Sequence, residues 1–185
     1  MIAAANSPPG KKIVVPFPSN KWAKMYMDFL NNSKPYEEAA KNWEGTMLFI
    51  IQPDGGAAPF EIGCWLDLWH GKCRGYSFWV KGQDPPKADF TYQGPEKNWL
   101  GMIDGKIDPI QGLMAGKFRL IGNMPMVMRH TLAAKILVET LQKFEFDIVT
   151  ADTKDPNAKT VTFFDKGKNR VAIVDRQKNT LTMLV

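Results

Sequence analysis

The order of secondary-structure patterns between Ala88 and Phe144 constrains the fold more than any other part of this sequence. A short strand pattern is followed by two short helical patterns, a strand from Gly116 to Met124 and a long helical pattern from Pro125 to Phe144. Pro95 and Pro109 can each begin one of the short helices, because the first helical position needs no N–H partner. This order predicts a sheet covered by helices.

The upstream half predicts two amphipathic helices followed by antiparallel strands. Apolar residues recur with helical spacing from Trp22 to Leu30, and Pro35 begins a second, shorter helix. Phe60 to Trp69 alternates in the manner of a strand with one buried and one exposed face. A turn near His70-Gly71 then leads into the next strand, so we expect an antiparallel meander.

The patterns divide the chain into three parts. Residues 1–19 are predicted to be an N-terminal tail, because prolines interrupt them, with room for an edge strand at 12–15. Residues 20–144 form the predicted main domain. Residues 145–185 contain four strand patterns separated by turn residues, and we expect them to form a C-terminal β extension packed on the same domain.

Composition and targeting signals indicate a globular protein. Apolar residues make up 44% of the chain and charged residues 23%, which permits a full hydrophobic core. No apolar run approaches the roughly 20 residues of a membrane span. The N-terminus has no basic residue before its short apolar stretch, which argues against a secretory signal. We therefore expect a cytoplasmic protein.

The two cysteines are predicted to be free thiols. If the turn centres on His70-Gly71, Cys73 faces Leu68 across the hairpin and does not face Cys64. Neither thiol belongs to a CxxC motif or a His/Cys cluster, so a zinc site is not expected.

Catalytic motifs are missing from the sequence. His70 and His130 are the only histidines, and neither has a serine, cysteine or aspartate at the spacing of a nucleophile–base pair. There is no phosphate-binding loop, no dinucleotide-binding glycine motif and no HExxH. We expect a protein that is not an enzyme and that needs no cofactor or metal.

Basic residues are concentrated near the C-terminus. The net charge is +5, and from Thr150 onward seven Lys/Arg face four Asp. Such a surface can attract anionic lipid headgroups or nucleic acid. These charges sit beside turn residues and not in one block, which favours a solvated set of turns. We expect no nucleic acid partner, while transient contact with an anionic membrane surface stays open.

Together these elements resemble the sterol carrier protein (nonspecific lipid-transfer) domain family. The resemblance rests on the strand Ala88–Tyr92, the helix Trp99–Gly105, the Asp108-Pro109 loop and the strand Gly116–Met124. It covers about Trp22 to Phe144. It implies an α/β (α+β) fold, with a mostly antiparallel mixed five-stranded sheet, helices on one face and a ligand between the two layers. The implied function is non-catalytic binding and transfer of a lipid such as a fatty acid, an acyl-CoA or a sterol-like molecule.

Methionines support the same interpretation. Five of the ten methionines lie between Met102 and Met128, and their flexible side chains suit a surface that adapts to different apolar shapes. The side chains expected to bind the ligand are Trp79, Phe90, Trp99, Ile103, Leu113, Met114, Met124, Met128, Leu132 and Ile136. Two alternatives stay open: a dimerisation or accessory module of a larger enzyme system with a closed core, which would include a homodimer, and an enzyme acting on a hydrophobic substrate.

Overall fold

The structure, a computed structural model, describes residues 10–185. The strands in this range are β1 Ile13–Phe17, β2 Glu44–Gln52, β3 Ile62–Trp69, β4 Lys72–Val80, β5 Phe90–Pro95, β6 Arg119–Ile121, β7 Phe144–Ile148, β8 Thr150–Ala151, β9 Thr160–Phe164, β10 Arg170–Asp175 and β11 Thr180–Met183. The helices are α1 Asn20–Asn31, α2 Lys34–Ala39, α3 Glu96–Ile103, α4 Pro109–Met114, α5 Met124–Arg129 and α6 Thr131–Leu141. The expected absence of a secretory signal rests on residues 1–9, which lie outside the described residues.

The main sheet has five strands in the order β4-β3-β2-β5-β6. Only β2 and β5 are parallel; the other neighbours are antiparallel. His70 and Gly71 both have positive φ (47° and 77°), as a two-residue hairpin turn between β3 and β4 requires. Leu68 pairs with Cys73 in this hairpin, as predicted. The expected fold class, a mixed and mostly antiparallel five-stranded sheet with helices, is confirmed.

The helices cover one face of the main sheet. Apolar side chains of β2 and β3 alternate, so one set joins the main hydrophobic core while Leu48 and Ile50 join Trp79 in a small cluster on the other face. α6 contacts each of the other five helices and lies at the centre of the helical layer. α1 begins after Ser19, whose Oγ accepts a hydrogen bond from the Trp22 amide at 3.1 Å.

Two predicted elements of the downstream half differ from the structure. The continuous helix from Pro125 to Phe144 was wrong: α5 and α6 are separate helices that meet at His130, where φ is −116° and ψ is 33°. A tertiary contact accompanies the break, since the His130 ring packs edge-on against Trp43 with 5.2 Å between centroids. The strand predicted from Gly116 to Met124 is reduced to β6, because Gly116 and Gly122 have positive φ (72° and 133°) on either side of it.

The segments before and after the main domain pair with each other. β1 runs parallel to β7, with Phe17 opposite Ile148 and Val15 opposite Phe146. The predicted edge strand at 12–15 therefore exists, but it extends to Phe17 through Pro16. The proline is compatible with an outer strand of a two-stranded sheet, where one side of the backbone needs no partner.

The C-terminal strands β8 to β11 form a four-stranded sheet that packs against the main domain. Arg176 joins the two parts, because its Nε and Nη2 donate to the Lys81 carbonyl of the main domain at 3.3 and 3.2 Å. Its Nη1 donates to the Ala158 carbonyl within the extension at 2.9 Å. The guanidinium also lies 4.7 Å from the centre of the Phe60 ring. Among the described residues, no helix has the length and apolar character needed to cross a membrane.

Candidate functional site

An apolar cavity of about 110 Å³ lies between the main sheet and the helical layer. One wall is the covered face of β2, β3 and β5, where alternate side chains point in the same direction. This sheet wall consists of Met47, Phe49, Ile51, Cys64, Leu66, Leu68 and Tyr92. The wall is continuous because the three strands are neighbours in the sheet.

The opposite wall is supplied by all six helices and by residues that flank the ends of α2 and α5. Its residues are Trp22, Tyr26, Tyr36, Ala40, Trp43, Trp99, Leu100, Met102, Ile103, Pro109, Ile110, Val127, His130, Ala133, Ala134, Leu137, Val138 and Leu141. Ala133 and Ala134 leave room beside α6 because their side chains are single methyl groups. The β1–β7 pair adds Phe17, Phe146 and Ile148.

The polar atoms of four aromatic lining residues are satisfied by the main chain. These rings donate as follows: Tyr26 to the Leu137 carbonyl (3.0 Å), Tyr92 to Pro109 (2.7 Å), Trp43 to Gly45 (3.0 Å) and Trp99 to Ile50 (3.0 Å). Burial raises the pKa of both tyrosines, so they stay neutral. The Trp22 Nε1 is buried without an acceptor among the described residues. The cavity therefore offers rings and methyl groups to a bound molecule and few free polar atoms.

A second, polar pocket of about 300 Å³ adjoins this cavity between α4 and α6. It is lined by Gly105, Ile107, Asp108, Pro109, Lys135, Val138, Glu139 and Gln142. Pro109 and Val138 belong to both spaces. The Lys135 Nζ lies 3.8 Å from Asp108 Oδ2, and both side chains keep contact with solvent. Nearby, Leu100 lines the apolar cavity and is 37% exposed, so the cavity approaches the surface on this side.

The structure brings two of the ten predicted ligand-binding residues to the cavity, Trp99 and Ile103. Phe90, Leu113 and Ile136 are buried in the main core but do not line the cavity. Trp79 belongs to the cluster on the opposite face of the sheet.

The other four predicted residues lie nearer the surface. Met114 is 72% exposed, Leu132 60% and Met128 38%, and Met124 is half-buried against the core. None of these four lines the cavity. Their part in ligand binding stays a prediction, and the cavity itself directs attention to other side chains.

The sequence did contain a signal for many of the lining residues. The alternating face of Phe60 to Trp69 includes Cys64, Leu66 and Leu68, and the helical stripe of α1 includes Trp22 and Tyr26. Both patterns predict burial, which holds equally for a filled core and for a cavity wall. Where the space lies depends on how closely the layers approach, and that distance is not encoded in the spacing of apolar residues.

Comparisons of sequence and of structure both find similarity to sterol carrier proteins. A family model described as the SCP-2 sterol transfer family matches residues 27–135. A crystal structure of sterol carrier protein 2 is 32% identical with a TM-score of 0.61, over 68% of this chain and 96% of that chain. A solution structure from Thermus thermophilus, described as a possible sterol carrier protein, is 31% identical with a TM-score of 0.61, over 68% of this chain and 87% of that chain.

A curated protein is also similar to part of the chain. Hydroxysteroid dehydrogenase-like protein 2 from Xenopus tropicalis is 30% identical over 94 residues, which are 50% of this chain. The match spans only 20% of that relative's length.

Proposed function

This chain belongs to the SCP-2 sterol transfer family, and we propose that it binds a lipid non-covalently in the cavity between sheet and helices and carries it as a transfer protein. The observation that carries the proposal is the apolar lining, in which the polar atoms of Tyr26, Tyr92, Trp43 and Trp99 are already paired. An apolar cavity with few free polar atoms holds water poorly and takes up apolar molecules. Fatty acids, acyl-CoA and sterol-like molecules all have an apolar part that could fill a cavity of this kind.

The energy of such binding comes from removing apolar surface from water. Burying about 300 Å² of a lipid at about 25 cal/mol per Å² contributes about 7.5 kcal/mol before ordering costs. This contribution is not directional, so it gives affinity for a class of molecules and little chemical selectivity. A carrier that accepts several lipids needs this combination.

The polar pocket between α4 and α6 gives the ligand an orientation. A lipid with its tail in the apolar cavity would place its polar end beside Lys135 and Asp108, since the two spaces share Pro109 and Val138. An acidic headgroup would gain from the ammonium group of Lys135. We expect this side of the molecule, near Leu100, to be where the lipid enters.

The nucleophilic groups beside the cavity support a binding role. Burial raises the pKa of the Cys73 thiol to about 11 and that of Cys64 further, so both remain protonated and weakly nucleophilic at neutral pH. The His130 Nδ1 lies 2.9 Å from the Met126 carbonyl, and the His130 ring packs edge-on against Trp43. These groups are engaged in packing and in main-chain contacts.

Exposed apolar side chains favour a second candidate function, an accessory or dimerisation module. Met128 in α5 and Leu132 in α6 expose 38% and 60% of their surface. Large exposed apolar patches are typical of docking surfaces. A partner protein, a second copy of the chain or an anionic membrane reached through the basic C-terminal turns would each use a surface of this kind.

Uptake of a fluorescent fatty acid tests the proposed function. Ala133 is 5% exposed and lines the cavity, so Ala133→Phe places a ring in the space that the lipid would occupy. We expect the affinity for the probe to fall at least about tenfold, or about 1.4 kcal/mol. Ala134→Phe serves as a second variant, because Ala134 also lines the cavity but is only half-buried, which lowers the cost of overpacking.

The matched control is Ala115→Phe at an exposed position at the end of α4. It adds the same ring outside the cavity, so the probe should bind as to the wild type. A wild-type protein that takes up no probe and carries no lipid-sized adduct in native mass spectrometry would exclude the carrier function. Unchanged uptake in both cavity variants would exclude this cavity as the site.

A further inference from the structure

We propose that the β1–β7 pair closes one end of the apolar cavity and sets the length of the lipid tail that this protein accepts. This inference rests on the proposed function and adds a determinant of ligand length to it. Four residues of this closure line the cavity: Phe17, Trp22, Phe146 and Ile148. All four lie outside the residues 27–135 that the family model matches. Phe17, Phe146 and Ile148 belong to the β1–β7 pair, and Trp22 lies in the first turns of α1.

Three aromatic rings form a mutually packed cluster at this end, which we call the aromatic cap (Phe17, Trp22 and Phe146). The ring centroids of Phe17 and Trp22 are 5.1 Å apart, those of Trp22 and Phe146 5.6 Å, and those of Phe17 and Phe146 5.9 Å. All three pairs meet edge to face, the arrangement that aromatic pairs prefer. Each ring is thus held by the two others.

The main chain fixes the position of the cap. β1 and β7 are in parallel register, with Phe17 opposite Ile148 and Val15 opposite Phe146. In strands, residues two apart share a face, so the residues of this pair that line the cavity project to one side. A tail end that reaches this point meets rings anchored on hydrogen-bonded strands.

The aromatic cap and the polar pocket lie toward opposite edges of the main sheet. Phe78 of β4, an edge strand of the main sheet, packs against Phe17 and Trp22 at 6.0 and 6.1 Å. The polar pocket instead borders α4. The Pro109 carbonyl of α4 accepts a hydrogen bond from the Tyr92 hydroxyl of β5, and β5 lies nearer the other edge of the sheet. A lipid whose polar end lies at the pocket therefore directs its tail across the sheet toward the cap.

Competition between saturated fatty acids of increasing length and a fluorescent fatty acid tests this inference. In the wild type, affinity should rise about fourfold with each added methylene that the cavity buries, and then stop rising when the tail reaches the cap. Phe146→Ala removes one ring of the cap and lengthens the cavity. We expect the preferred length to increase by about two carbons or more, and Phe146→Leu, a milder change, should shift it in the same direction.

Phe163→Ala is the matched control. Phe163 is fully buried in the C-terminal sheet, packs on Phe60 and does not line the cavity, so its loss weakens the fold without lengthening the cavity. The preferred length should stay that of the wild type. If both Phe146 variants bind the fatty acids with the wild-type length preference, the cap does not set the length and the inference is overturned while the carrier function stands. A wild type that binds no fatty acid of any length overturns both.

Discussion

Removal of the Glu96 carboxylate should destabilise the protein far more than removal of an exposed carboxylate. Glu96 is 4% exposed at the first position of α3, and its two oxygens accept from the amides of Ala57 and Ala58 at 3.1 and 2.8 Å. It therefore ties the loop between β2 and β3 to the helix that brings Trp99 and Ile103 to the cavity. Glu96→Ala leaves both amides without this acceptor.

The size of the effect follows from the burial of the two amides. An amide that loses its partner costs about 1–3 kcal/mol, with the larger value for the buried Ala58 amide and the smaller for Ala57, whose residue is half-buried. The carboxylate also lies in the first turn of α3, where a negative charge contributes about 0.3–1 kcal/mol. We expect a loss of about 4–5 kcal/mol, or about 10–15 °C in Tm for a chain of this size. Glu96→Gln keeps one acceptor oxygen and should lose about half as much.

Chemical and thermal denaturation of matched variants measure this effect. The control is Glu38→Ala: the Glu38 side chain is 75% exposed and pairs with Lys41 on the surface of α2, so its loss should cost less than about 1 kcal/mol. Equal losses for Glu96→Ala and Glu38→Ala would refute the argument, because they would show that the two buried hydrogen bonds contribute nothing net.

Three further perturbations have expected outcomes of their own. Arg176→Lys should lower the free energy of unfolding, measured in urea, by about 1–2 kcal/mol, because lysine cannot form both hydrogen bonds to the Lys81 carbonyl. An unchanged free energy of unfolding would show that these hydrogen bonds are dispensable. Burial raises the pKa of the Cys73 thiol from 9.0 to about 11, so its contribution to stability is fully present below about pH 9 and is lost as the pH rises toward 11. The free energy of unfolding of Cys73→Ala should therefore depend less on pH between 9 and 11 than that of the wild type. Identical pH profiles of the two proteins would contradict this. Gly71→Ala should destabilise by about 1–3 kcal/mol, since φ is +77° and the new methyl group would lie 2.6 Å from the main chain of α2, whereas Gly75→Ala meets open space and should not.

The sequence predicted the main sheet well because its signals are local. Alternation from Phe60 to Trp69 and the turn residues His70-Gly71 were enough to place Leu68 opposite Cys73. The break between α5 and α6 at His130 was not predictable in this way, because the residues on both sides keep a helical apolar pattern. The parallel pairing of β1 with β7 joins residues more than 125 positions apart, and no local pattern encodes it.

The sequence predicted that a ligand would lie between the sheet and the helices, but it did not predict which side chains line the cavity. Trp99 lines the cavity because its helix lies against the sheet, whereas Met114 and Leu132 have the apolar character expected of a lining and yet face solvent. Apolar spacing identifies the face of an element that is buried on average. It does not identify which buried side chains border empty space, since that depends on the packing of distant elements such as Phe146 on Trp22.

The pairing of β1 with β7 also imposes an order of events during synthesis. β1 leaves the ribosome early, but its partner strand is made about 130 residues later, on the order of ten seconds at typical elongation rates. Until then Phe17 and Trp22 lack their contacts with Phe146, even when the residues between β1 and β7 have already folded. On the role proposed for the aromatic cap, the nascent chain passes through a stage in which that end of the cavity is still open, and in that interval a lipid or a chaperone could reach the cavity by a route that the finished protein closes.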